Sequence, residues 1–226
     1  MVLGGALLVI LAGSWPLLAF QATHPITGRR IAGVMGVGGA DWLERPERET
    51  EEQPDKALDA LGLKPGMTVA DIGAGTGYMS LRMAKRVGPS GKVWANDLQP
   101  EMLRLLRENA TEVKLANVET VLGTESDPKL PKGQMDLVLL VDVYHEFSQP
   151  QQMLRKIREA LKPDGRLVLL EYRKEDPKIP IRPEHKMSVA EVKLELEAEN
   201  FQISQVIETL PRQHIFILTK KREPQK

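Results

Sequence analysis

One stretch of the chain, residues 69–78, constrains the fold more than any other. It reads Val-Ala-Asp-Ile-Gly-Ala-Gly-Thr-Gly-Tyr, a mostly apolar run followed by three glycines at alternate positions. The apolar run is typical of a buried strand, the glycines predict a tight turn, and the residues from Tyr78 to Lys85 favour a helix. Such a strand, turn and helix start bring backbone close to a ligand, although an ordinary βα turn would use the same glycines.

Length and charge limit the classes of protein that this sequence can encode. The chain has 226 residues, enough for one domain with a well-filled core. Lys plus Arg and Asp plus Glu both number 31, so we expect no basic footprint for nucleic acid. Cysteine is absent, which excludes disulfides and thiolate ligands, and the scattered histidines show no ligand spacing. We therefore expect no metal site.

Residues 1–22 are predicted to be a signal peptide or a membrane anchor. Residues 2–20 carry no charge, and about 20 apolar residues can span a membrane, whereas a signal-peptide core needs about 7–15. A glycine, a serine and a proline interrupt the run and favour the signal peptide. Export to the periplasm or membrane association through residues 2–20 is therefore expected. Arg29 and Arg30 follow the run, so an uncleaved anchor would leave the domain in the cytoplasm.

Residues 23–53 form an extension that is rich in glycine and then strongly charged. Trp42 is a lone aromatic residue among charged neighbours. One interpretation is a solvated linker ahead of the fold. The alternative is a lid, in which Trp42 closes over a ligand while Arg45 or Arg48 holds an anionic group.

Residues 54–226 alternate strand and helix patterns, which predicts a doubly wound parallel sheet covered on both faces. Two final β-like runs, at 201–210 and 214–219, are joined by only three residues and so pair antiparallel. The fold class is α/β, with a mostly parallel seven-stranded sheet and an antiparallel strand at its C-terminal end. The other predicted strands are 69–72, 92–96, 118–122, 136–141 and 166–170.

Polar residues follow the ends of several predicted strands, where α/β sheets bind ligands. Asp97 can accept bonds from both hydroxyls of a ribose, and Leu98 can pack on a base. Asp71, just before the glycine turn, would repel a pyrophosphate but suits a ligand with a positive charge. The strand-end groups are Gly73–Gly77, Asp97, Thr124–Asp127, Asp142–Glu146 and Glu171–Arg173.

The motif Asp-Ile-Gly-Ala-Gly-Thr-Gly at 71–77, with Asp-Leu-Gln-Pro-Glu-Met-Leu at 97–103, resembles the class I S-adenosylmethionine (SAM)-dependent methyltransferases. The resemblance covers roughly residues 54–220 and extends to Leu-Lys-Pro-Asp-Gly-Arg-Leu at 161–167. It implies a Rossmann-like methyltransferase fold and SAM as the methyl donor. The charged segment 41–52 resembles the head of a bacterial subgroup that often carries an export-like N-terminus.

The resemblance also assigns residues to parts of the donor. Asp97 goes to the ribose and Leu98 to the adenine, while Thr124 and Glu125 loosely match an acid near the adenine amine. Asp142 is counted with these cofactor-binding residues. The residues implied around the methionine part are Asp71, Gly73, Ala74, Gly75, Thr76 and Gly77.

Residues beyond the fourth predicted strand are candidates for catalysis. Methyl transfer from a sulfonium is an in-line displacement, so the protein mainly aligns the acceptor and excludes water. A protonated acceptor also needs a base, and His145 has a suitable unperturbed pKa. Asp142 is a further candidate, and Tyr144 is expected to shape the pocket near the sulfonium. We expect His185 and His214 to be structural or exposed.

Three kinds of function remain open. A small-molecule acceptor is favoured because residues 143–147 resemble small-molecule members of the family. Residues 63–66 and 75–78 instead resemble protein methyltransferases of the isoaspartyl-repair kind. A non-catalytic protein that binds the cofactor is the third alternative. The sequence leaves the oligomeric state open.

Overall fold

The computed structural model of the chain describes residues 22–221. The predicted signal peptide or anchor lies outside these residues except for its last position, and it stays a prediction. Among residues 22–221, no helix has both the length and the apolar character needed to cross a membrane.

One sheet organises the described residues, with the strand order β3-β2-β1-β4-β5-β8-β7 and the short β6 paired to β5. Strands β1 to β5 are parallel, and β8 runs antiparallel between β5 and β7. The predicted fold class is confirmed, and β6 brings the described strands to eight rather than seven. The strands are β1 (Thr68–Ile72), β2 (Lys92–Asp97), β3 (Val118–Leu122), β4 (Met135–Val141), β5 (Leu161–Arg173), β6 (Lys186–Met187), β7 (Phe201–Ile207) and β8 (Gln213–Lys220).

Four of the seven α-helices in the described residues begin at a start signal in the sequence. Proline occupies the first position of three helices, where its missing N–H costs nothing. Another begins with a capping box, in which Ser188 Oγ accepts from Glu191 N and Glu191 Oε2 accepts from Ser188 N. The helices are α1 (Ala40–Leu43), α2 (Arg48–Glu51), α3 (Pro54–Leu61), α4 (Tyr78–Val87), α5 (Pro100–Glu112), α6 (Pro150–Ala160) and α7 (Val189–Ala198).

Successive side chains of each central strand point to opposite faces of the sheet, and helices cover both faces. On one face, Ala70 of β1 belongs to a core with α6 and α7, which contribute Ile157 and Leu196. On the other face, Val69 belongs to a core with α3 and α4, which contribute Leu58 and Met83. The prediction that helices cover both faces is confirmed.

The start of β5 differs from the sequence prediction. The sequence predicts a strand at 166–170, but β5 begins at Leu161, directly after α6. Its pairing with β4 jumps from Leu161 to Arg166, so the four residues between them bulge out of the ladder. A Cβ on Gly165 would lie 2.6 Å from the carbonyl oxygen of Met135, so the bulge requires glycine there.

The extension is fastened to the domain by buried charges. Arg29 Nε donates to Glu195 Oε1 of α7 at 2.9 Å, and Arg29 Nη1 donates to the carbonyl oxygen of His145 at 3.1 Å. His24 Nε2 lies 3.3 Å from Glu195 Oε2. Because these groups are buried, removal of one partner would leave an uncompensated charge in the core.

Candidate active site

A cleft of about 870 Å³ opens at the carboxyl ends of β1, β2 and β4. The strand order reverses there, because β2 lies on one side of β1 and β4 on the other, and α/β folds bind ligands at such points. One wall is formed by residues that follow the strands. The opposite wall comes from the extension and includes Ile31, Val34, Met35, Trp42, Leu43 and Arg48.

The glycine turn after β1 needs glycine for two reasons. Gly73, Gly75 and Gly77 have φ of +72°, +55° and +97°, a region that side chains disfavour. A Cβ on Gly73 would also lie 2.5 Å from Val143, and one on Gly75 would lie 2.9 Å from Leu43. Gly73 and Gly75 line the cleft, whereas Ala74, Thr76 and Gly77 do not.

Asp97 lies at the end of β2, beside this turn. Its Oδ2 accepts from Gly75 N at 2.9 Å and its Oδ1 accepts from Gln99 N at 2.9 Å. Burial raises the pKa of Asp97, although the two N–H groups oppose the shift. Leu98, which is 43% exposed, lines the cleft together with Asp97. Thr124 and Glu125, predicted to lie near the same part of the ligand, also line it.

Asp71 does not line the cleft. It points with Val69 toward the α3–α4 side of the sheet, where its Oδ2 accepts from Ser80 Oγ at 2.6 Å. Burial raises the pKa of Asp71 from 3.8 to about 7. Asp71 is therefore bonded to α4 and is not part of the cleft lining, and its contact with the methionine part stays a prediction.

The pKa of Asp71 predicts how stability changes with pH. Between about pH 4 and 7 the folded chain keeps a proton that the unfolded chain has released, so the free energy of unfolding falls as pH rises. Replacing Asp71 by asparagine should make this fall in the free energy of unfolding shallower, by up to about 1.4 kcal/mol per pH unit. Urea unfolding at several pH values measures the difference.

The matched control for this measurement is Asp164→Asn, in the exposed bulge of β5. We expect this variant to keep the wild-type slope of unfolding free energy against pH. An Asp71→Asn slope equal to that of the wild type would contradict the assignment of a raised pKa to Asp71.

Asp142 follows β4 with φ of +53° and lines the cleft. Its Oδ2 accepts from Gln213 Nε2 at 2.6 Å. No donor among residues 22–221 reaches its buried Oδ1. Burial, followed by the charges of Glu52 and Glu171, raises the pKa of Asp142. A buried carboxyl oxygen without a partner, in the wall of a cleft, points to a hydrogen-bond donor on the ligand.

His145 is held between a carboxylate and a second histidine. Its Nδ1 lies 2.6 Å from Glu171 Oε2, and its Nε2 lies 3.1 Å from His185 Nδ1. Glu171 is fully buried, and its Oε1 accepts from Tyr144 N at 3.0 Å. Burial and the neighbouring His145 lower the pKa of His185. Both histidines line the cleft, a position that the sequence did not predict for His185.

The neighbours of His145 differ in their access to the cleft. Tyr144 is buried beneath it, with its hydroxyl 3.4 Å from His24 Nε2, and does not line the cleft. Its role in shaping the pocket near the sulfonium stays a prediction. Glu146 does line the cleft, and burial raises the pKa of Glu146 to about 7.

Arg45 and Arg48, the two arginines of the lid hypothesis, are both paired with carboxylates of the extension itself. Arg48 Nε donates to Glu52 Oε2 at 2.8 Å, and Arg45 Nη2 donates to Glu52 Oε1 at 2.8 Å. Tyr172, at the end of β5, also donates to Glu52 Oε1, at 2.9 Å. The guanidinium of Arg45 stacks 3.7 Å from the ring of Trp42. The extension thus forms a wall of the cleft, and its movement as a lid stays a prediction.

Comparisons of the sequence and of the structure with known proteins both find methyltransferases. A family model described as "Methyltransferase domain" matches residues 63–222. The crystal structure of a SAM-dependent methyltransferase from Aquifex aeolicus superposes with a TM-score of 0.77 at 31% identity, covering 82% of this chain and 98% of that one.

Two curated relatives match over part of their length. A ubiquinone/menaquinone biosynthesis C-methyltransferase from Bordetella avium is 36% identical over 115 residues, 51% of this chain and 44% of the relative. Nocamycin O-methyltransferase from Saccharothrix syringae is 30% identical over 140 residues, 62% of this chain and 48% of the relative. The chain therefore spans about half the length of the curated relatives that it matches.

Proposed function

Because this chain belongs to the class I SAM-dependent methyltransferases, we propose that it transfers the methyl group of SAM to a small-molecule acceptor in the cleft described above. One observation carries the proposal. A single cleft joins the glycine turn and Asp97 at one end to His145 and His185 at the other. SAM supplies a methyl group on a sulfonium, already activated for in-line displacement.

The donor end fits SAM in three places. Asp97 keeps free lone pairs on both oxygens after its two backbone bonds, so it can accept from the ribose hydroxyls. Leu98 offers an exposed apolar side chain to the adenine. Asp142 Oδ1 would accept from the ammonium of the methionine part, a role that suits Asp142 better than Asp71 because Asp71 is bonded to Ser80 and does not line the cleft.

The acceptor end favours a largely apolar molecule with one polar group. Apolar side chains dominate the lining of the cleft as a whole, among them Ile31, Val34, Met35, Phe147, Met153 and Ile181. His145 is the side chain that activates the polar group, and Glu171 is the positioning residue that fixes its ring. The curated relatives, named for quinone biosynthesis and for nocamycin, are consistent with a small-molecule acceptor.

Transfer of a labelled methyl group tests the proposal. The full chain would be incubated with methyl-labelled SAM and, separately, phenolic and quinol compounds, a metabolite extract and an isoaspartyl peptide. We expect label in an apolar small molecule. Label on the peptide would support the isoaspartyl-repair alternative instead, and SAM binding without transfer to any acceptor would contradict a catalytic role.

We also propose that residues 2–20 direct the chain to a membrane, for export or as an anchor. The support is the uncharged, apolar sequence of this segment. Cell fractionation followed by N-terminal sequencing tests it. An intact N-terminus in the soluble cytoplasmic fraction would contradict the proposal.

A further inference from the structure

Three side chains that line the cleft bring potential metal-ligand atoms close together. His145, Glu146 and His185 each offer one such atom, and the three lie within 4.8 Å of one another. From the geometry we propose that they bind a divalent transition-metal ion of the Zn²⁺ class. Two imidazoles and one carboxylate are a donor set that zinc and other first-row transition metals accept.

The spacing of the two imidazole nitrogens fits coordination to one ion. His145 Nε2 and His185 Nδ1 are 3.1 Å apart. Zinc–nitrogen bonds measure about 2.0–2.1 Å, so two nitrogens at this separation subtend about 100° at a shared ion. That angle lies between octahedral and tetrahedral values. The two imidazole rings lie nearly perpendicular, inclined at 79° to each other.

Glu171 gives His145 the support that metal-bound histidines have. A ligating imidazole usually donates its other N–H to a carboxylate, which fixes the tautomer and raises the basicity of the ligating nitrogen. His145 Nδ1 makes this contact with Glu171 Oε2 at 2.6 Å, and Glu171 is fixed in turn by Tyr144 N. His145 Nε2 is therefore presented to the cleft as a lone pair.

Contrast with His214 shows that neighbouring carboxylates alone do not make such a site. His214 also lies between acids, but Glu208 contacts its Nδ1 and Glu175 contacts its Nε2, on opposite sides of the ring. Their ligand atoms do not converge. At His145 the carboxylate of Glu171 occupies one ring nitrogen, while the other nitrogen faces His185 and Glu146.

Three protein ligands leave at least one coordination position, and all three residues line the cleft. An oxygen of the acceptor can coordinate there, and a bound metal would lower the pKa of a hydroxyl group. This part rests on the proposed function and names its acceptor class, an apolar molecule with a hydroxyl group. Binding of the ion does not depend on it.

Metal binding is tested on the full chain without an affinity tag, stripped with a chelator and desalted. Calorimetric titration with Zn²⁺, repeated with Co²⁺ followed by visible absorption, should show one ion per chain. We expect Glu171→Gln to weaken binding about 10- to 100-fold and His185→Ala and Glu146→Gln to weaken it further. His214→Ala is the matched histidine control and should bind as the wild type does.

Failure of this proposal can be told apart from failure of the proposed function. Absence of Zn²⁺ binding, or binding that His185→Ala leaves intact, would overturn the metal site whatever the methyl-transfer assay shows. Stripped protein should lose methyl transfer and regain it with added Zn²⁺. Full turnover in the stripped protein would overturn the acceptor-coordinating role and leave the methyltransferase proposal standing.

Discussion

Replacing His145 by alanine is expected to lower turnover by about 10²- to 10⁴-fold, the range over which a well-placed acid–base group contributes. The affinity for SAM should not change, because Asp97, Leu98 and Asp142 form the donor end without contacting His145. The loss is expected whether His145 takes a proton or holds a metal ion. Turnover is measured with the labelled donor, and SAM affinity is measured by calorimetry.

The controls for His145→Ala separate chemistry from folding. His214→Ala removes another buried histidine, one that does not line the cleft, and should retain turnover. Glu171→Gln keeps the shape of the residue that orients His145 and should lower turnover less than His145→Ala does. Thermal melting of each variant identifies losses due to unfolding. Full turnover by a folded His145→Ala variant would remove His145 from the mechanism.

Replacing Asp97 by alanine is expected to weaken SAM binding by about 10- to 100-fold. A hydrogen bond to a charged group contributes about 1.5–3 kcal/mol, and about 1.4 kcal/mol corresponds to a factor of ten in affinity. The same substitution removes the acceptor for Gly75 N and Gln99 N, so the glycine turn should also lose stability. Calorimetry measures the affinity, and urea unfolding measures the stability.

Two further variants show whether the affinity loss comes from the missing carboxylate itself. Asp97→Asn keeps one carbonyl oxygen as an acceptor and should fall between the wild type and Asp97→Ala. Glu101→Ala removes an exposed acid from the first turn of α5 and should bind SAM normally. If Asp97→Ala folds and binds SAM with wild-type affinity, the ribose assignment is wrong.

The sheet and the donor end could be predicted because both follow from local pattern. Apolar runs separated by helix patterns fix a parallel sheet, and parallel strands bring their carboxyl ends to one edge. Asp97, Asp142 and His145 were found in this way, since each follows a predicted strand or its adjoining loop. Placing these residues at the edge of the sheet does not require knowing which side chains they contact.

The partners of these residues could not be predicted, because they come from distant parts of the chain. Gln213 reaches Asp142 from β8, and His185 reaches His145 across 40 positions. The side on which Asp71 lies could have been predicted from the sequence. Strand alternation places it on the same face of the sheet as Val69, under α4. The face to which Asp71 points follows from the alternation of residues along β1. The contacts of Glu52 with Arg45, Arg48 and Tyr172, in contrast, depend on how the extension folds back onto the domain.

The contacts of Glu52 bear on where the N-terminal boundary of the folded domain lies. The family match begins at residue 63, and a domain boundary drawn there would separate Glu52 from Tyr172. It would also remove one wall of the cleft, together with Arg29, the partner of Glu195 on α7. A unit that keeps these contacts and the complete lining of the cleft therefore starts at or before Ala22, well ahead of residue 63.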